Sequence, residues 1–139
     1  MWSFQINRLL YYNNSFIGCY PYDTLPYIKR KSNISIVINT ANSKLIGEHW
    51  VAIKMINNEC FYFDSFGVGI VNENIKEFVK IYKTVIYSTK CIQNIESDKC
   101  GEFCVAFIKN VKCVESYRNF ITSFSENGYI NDIIVDTLI

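Results

Sequence analysis

A chain of 139 residues with 50% apolar, 16% aromatic and 19% charged residues reads as one compact domain over 1–139, which excludes a disordered or low-complexity chain. Lys+Arg 14 against Asp+Glu 13 gives a net charge of +1, so charge does not name nucleic acid as the main partner. The longest uncharged stretch, 9–22, is broken by Asn13, Asn14, Ser15 and Pro21, and no membrane span is expected.

The opening Met1-Trp2-Ser3-Phe4-Gln5 lacks the basic and apolar regions of a secretory signal. Six cysteines in such a chain are expected to be thiols rather than disulfides. A chain this long buries roughly two-thirds of its unfolded surface, so one core suffices without staples.

Taken in order, residues 2–12 read as a helix, with Trp2, Ile6, Leu9 and Leu10 on one side. Residues 16–31 read as a loop, punctuated by Gly18, Pro21 and Pro26. The β-branched run 35–39 is a buried strand. Strands follow over 49–56 and 60–64, joined by Asn57-Asn58, a pair that tolerates positive φ and suits a tight hairpin turn. Ile75, Phe78, Val79 and Tyr82 recur at helical spacing, and 85–92 reads as a strand. Helices then begin near Cys100, around Tyr117 and after Asn131-Asp132. Strands in the middle and helices at both ends give an α+β domain with a central sheet flanked by helices.

The hairpin carries a geometric consequence. With Asn57-Asn58 as a two-residue turn, Ile56 faces Glu59, Ile53 faces Tyr62 and His49 faces Phe66. Asp64 then shares a face with Phe66 and His49 and becomes the diagonal neighbour of His49, at roughly 7–8 Å between strands. A carboxylate there fixes the imidazole tautomer and leaves the other ring nitrogen to take a proton. Against this stands a lone histidine at a strand end beside a turn aspartate.

Cys100 opens a helix in the run Cys100-Gly101-Glu102-Phe103-Cys104, and a helix N-terminus favours thiolate, the reactive form. Gly101 removes bulk beside it, and Gln93 offers a side-chain N–H to an oxyanion. The plainer alternative makes Cys100 a small core residue, which is the expectation for Cys104. A zinc site would draw on Cys100, Cys104, Cys113 and either His49 or Cys60, but no C-x-x-C pair is present.

These segments resemble the adenovirus-type cysteine endopeptidases (adenains), of the same clan as the SUMO-specific proteases. The matching runs are Phe16-Ile17-Gly18, Ile38-Asn39-Thr40-Ala41, Gly47-Glu48-His49-Trp50, Tyr62-Phe63-Asp64-Ser65-Phe66-Gly67, and Gln93 with Cys100-Gly101-Glu102-Phe103-Cys104. The resemblance runs from about residue 16 to 111, and the order His, acid, Gln, Cys is that of the clan.

It implies a papain-like site with Cys100 as nucleophile, His49 as general base, Asp64 as its orienting acid and Gln93 in the oxyanion hole. Trp50 would line the cleft, with a half-buried strand aromatic as its alternative. It further implies cleavage of virion precursor proteins at small residues, commonly glycine, inside the infected cell (host nucleus or cytoplasm) and the virion, with no cofactor. Stimulation by DNA and by a disulfide-linked activating peptide also belongs to adenains. Near-neutral charge does not support the first, and no cysteine here matches the one that bonds such a peptide. The acid is Asp64 where adenains usually carry Glu. Removal of a ubiquitin-like modifier, a non-catalytic binding domain and a zinc-containing structural domain are the alternatives.

Overall fold

The computed structural model describes residues 1–28, 33–41 and 49–139. Five strands pair in chain order into one mixed sheet: β1 (Phe16–Pro21), β2 (Ile34–Asn39), β3 (Trp50–Ile56), β4 (Glu59–Phe63) and β5 (Val85–Tyr87). The inner pairs β2–β3 and β3–β4 are antiparallel, and the outer pairs are parallel. Around the sheet lie α1 (Ser3–Leu9), α2 (Glu73–Val79), α3 (Cys100–Asn110), α4 (Val114–Thr122) and α5 (Gly128–Val135). This is the α+β architecture expected from the sequence.

The central strands are apolar on both faces because both faces are covered. Val37, Ala52, Phe61 and Phe63 pack with Ile6 of α1, α3 and α4, while Ile36, Ile38, Val51, Ile53 and Tyr62 pack with α2 and Tyr82. Alternation along each strand sorts the two sets. Lys54 lies on the α3 side, and its Nζ donates to the Ile108 carbonyl at 2.6 Å, at the negative end of that helix. Burial and the nearby Lys112 push its pKa down to about 8.

The hairpin forms in the expected register. Asn57 (φ 50°) and Asn58 (φ 71°) both take positive φ, as a type I′ turn requires, and Ile56 pairs Glu59 while Ile53 pairs Tyr62.

Other expectations need correction. Residues 16–21, read as loop, form β1; residues 29–31 of that stretch lie outside the described part, as do Gly47 and Glu48. Gly18 sits at φ 139° where the register shifts, and Pro21 is tolerated at the end of an edge strand. The strand expected over 85–92 stops at Tyr87, after which Ile92 and Gln93 both hang by their N–H groups on the Ser65 carbonyl (2.9 and 3.1 Å). The first helix begins at Ser3, leaving Trp2 58% exposed while Ile6 and Leu10 are buried. The last begins at Gly128 because Asn127 caps it, accepting from Tyr129 N at 3.0 Å and Ile130 N at 3.2 Å. No helix among the described residues is long and apolar enough to cross a membrane.

Candidate active site

The β3–β4 ladder ends at the pair Ala52–Phe63, which leaves His49 just ahead of β3 and Asp64, Ser65 and Phe66 just past β4. The His49 ring stacks on Phe66 with centroids 4.7 Å apart and planes 18° from parallel. Its Nε2 donates to Asp64 Oδ1 at 2.8 Å, and the same oxygen accepts from Phe66 N at 2.9 Å. The diagonal contact anticipated from hairpin register is therefore present.

With Nε2 held by Asp64, Nδ1 is the ring nitrogen left for the Cys100 side chain, which lines the same cleft. Burial works against the charged ring. The hydrogen bonds and charges of Asp64 and Cys100 outweigh it and raise the His49 pKa from 6.5 to about 9. Cys100 is the first residue of α3, where the backbone N–H groups of the first turn have no partner inside the helix. Cys104, one turn on, is fully buried, and burial pushes its thiol well above the usual range. Burial also raises Cys60 to about 12. Among the described residues, no group of three or more His, Cys, Asp or Glu side chains is placed to hold a metal.

Gln93 reaches the same site from the segment after β5 and is buried. Its Oε1 accepts from Ser65 Oγ at 2.5 Å, and its Nε2 donates to the Ser97 carbonyl at 3.0 Å and Ser97 Oγ at 3.2 Å. α5 braces both flanks of Gln93. Asn131 Nδ2 donates to the Ile92 carbonyl at 2.9 Å, and Asn94 N donates to Asp132 Oδ1 at 3.2 Å.

A cleft of about 180 Å³ joins these groups and is lined by Met1, His49, Trp50, Phe66, Gln93, Ser97, Asp98 and Cys100. Trp50 stands in its wall and donates from Nε1 to the Met1 carbonyl at 3.0 Å. Gly101 is buried outside that lining, and a Cβ there would lie 2.8 Å from Met1 Cβ, so Met1 fills the space its missing side chain leaves. Larger hollows of about 470 Å³ beside Lys54 and Lys112 and about 350 Å³ between β5 and α4 hold neither thiol nor imidazole.

His49, Asp64, Gln93 and Cys100 thus meet around one cleft, with Trp50 beside them. Ser65, Ser97 and Met1 were not anticipated. Ser97 binds Gln93 across four residues of a polar loop, where no periodic pattern marks it, and Met1 arrives by tertiary packing alone.

No protein-family model matches the chain. A protein named "Protease" from Human adenovirus B serotype 3 is 28% identical over 117 residues, which cover 66% of this chain and 55% of that relative. The crystal structure of an ASFV protease superimposes with a TM-score of 0.53 at 20% identity, over 94% of this chain and 63% of that one. The chain therefore spans less than two-thirds of the length of either. The structural match concerns the fold alone. The chain resembles the adenovirus-type cysteine endopeptidases: in sequence it is similar to an adenovirus protease over 66% of its length, and in fold to an ASFV protease.

Proposed function

We propose that this chain is a viral cysteine endopeptidase with Cys100 as nucleophile. The observation that carries the reading is the His49 imidazole held between the Asp64 carboxylate and the Cys100 side chain. Cys100 gives its proton to His49, and the sulfur attacks the peptide carbonyl. The oxygen that gains charge accepts from the Gln93 amide and from a free N–H of the first turn of α3. His49 returns the proton to the departing amine, and water then hydrolyses the thioester. Asp64 holds the imidazole orientation and stabilises its charged form.

A cleft of about 180 Å³ walled by Trp50 and Phe66 favours a slender substrate segment, as in virion precursors cut at glycine. The viral relatives support action in the infected cell, nucleus or cytoplasm, and in the virion.

The test is labelling with a peptide electrophile ending in glycine, followed by mapping of the modified thiol. Cys100 is expected to react ahead of the exposed Cys91 and Cys113, and Cys100→Ala to abolish both labelling and turnover with the fold intact. Labelling of Cys91 or Cys113 with Cys100 untouched would overturn the assignment. Preference for a ubiquitin-like C-terminal amide probe over precursor peptides would move the substrate class to modifier removal.

A further inference from the structure

We propose that Ser65 is a positioning residue whose hydroxyl, donating to Gln93 Oε1, anchors the amide so that its N–H stays aimed at the reacting carbonyl. The inference rests on the cysteine-protease reading and assigns one more residue to it.

The Gln93 amide is held at both ends. The end nearest Ser97 lies 3.0 Å from a main-chain carbonyl oxygen, which only accepts, so that end must carry the hydrogens. The other end is then the amide oxygen, which also only accepts. Ser65 Oγ, 2.5 Å away, must therefore be the donor, and its one proton is committed to Gln93. Turning the amide over would set oxygen against the Ser97 carbonyl and lose that bond. Ser65 holds the main chain as well, since its carbonyl accepts from Ile92 N at 2.9 Å and Gln93 N at 3.1 Å.

Ser65 is fully buried, so no water replaces its hydroxyl without rearrangement. Without that donor, Gln93 Oε1 loses its partner in a buried slot, and the amide is tethered only at its Ser97 end, free to swing from its place beside the cleft. An amide that swings no longer keeps its N–H aimed at the oxygen gaining charge in the reaction. In the held orientation one amide N–H meets the Ser97 carbonyl. The other meets Ser97 Oγ at 3.2 Å, a rotatable hydroxyl that the substrate oxygen can displace. Asp64 and Ser65 are consecutive, so the partner of the base and the partner of the oxyanion donor share one short stretch of backbone.

The experiment compares the parent, Ser65→Ala, Gln93→Ala and the double variant for kcat and KM on a peptide the parent cleaves. Alkylation of Cys100 by iodoacetamide is the second readout, because that reaction builds no oxyanion. Ser65→Ala is expected to lower kcat about tenfold, with KM and alkylation rate unchanged, and to add nothing in the Gln93→Ala background. Should Ser65→Ala not fold, Ser65→Cys, with its weak S–H donor, is expected to give a smaller loss of the same pattern. An unchanged kcat, losses that multiply in the double variant, or alkylation that falls with turnover would overturn the role. A parent with no turnover and an unreactive Cys100 would remove the protease reading and this role together.

Discussion

Because Asp64 and Cys100 raise the His49 pKa to about 9, the charged ring persists across the neutral range. A raised folded pKa means that the stability contributed by protonated His49 is fully present below its ordinary 6.5. That contribution is lost as pH rises through about 9. Asp64→Asn removes the carboxylate charge and allows the wrong tautomer. The alkaline limb of the pH–rate profile should then move to lower pH, and turnover should fall steeply, though less than in Cys100→Ala. Asp64→Glu should keep part of the activity. A pH–rate profile of Cys100 alkylation and peptide hydrolysis in all three proteins checks this, and an unmoved limb in Asp64→Asn would make Asp64 a turn residue only. Gln93→Ala tests the neighbouring donor. Turnover should fall about 100- to 1000-fold with little change in KM, as steady-state kinetics would show. A raised KM at unchanged kcat would place Gln93 in substrate binding instead.

At the scale of elements, the hairpin delivers His49 and Asp64, and its register was legible because a two-residue Asn-Asn turn leaves little freedom in the pairing. Counting outward from Asn57-Asn58 placed His49 against Phe66, and the rings do stack. β1 was not legible. Its partner β2 runs parallel and is remote enough that no turn signals the pairing, and Gly18 and Pro21 both argue locally for loop. The α5 boundary was missed for a related reason. Asn131 resembles a cap in sequence, yet it is a buried tie whose amide binds the Ile92 and Ser125 carbonyls, while Asn127 does the capping. Gly67 marks the element junction that matters most to the site. It sits at φ 71°, and a Cβ there would lie 2.6 Å from the Thr89 carbonyl oxygen and 2.8 Å from Cys91 N. Gly67→Ala should cost more than ~2 kcal/mol, since positive φ and a backbone clash add together, and urea unfolding measures it. A midpoint equal to the parent's would show that the turn relaxes freely.

For the molecule as a whole, α3 is the pivot. Seven of its side chains are buried between the sheet and the other helices, and its first residue is the thiol. Phe107 stacks on Phe63 with centroids 5.0 Å apart and also meets Tyr117 and Phe120. Phe107→Ala should cost about 3–5 kcal/mol and release the helix that aims Cys100, lowering thermal stability and alkylation together. Loss of stability with the alkylation rate intact would show that α3 is held independently of this ring. The placement of α3 also bears on when His49, Asp64 and Cys100 meet during folding. His49 and Asp64 come together within a local hairpin, across fifteen residues, a closure that a short length of emerging chain can already achieve. Cys100 joins them only once α3 has docked against strands made much earlier in the chain. A partly made chain therefore carries an imidazole and its carboxylate without their sulfur, and under the proposed function its own unfolded segments stay uncut until the helical layer closes.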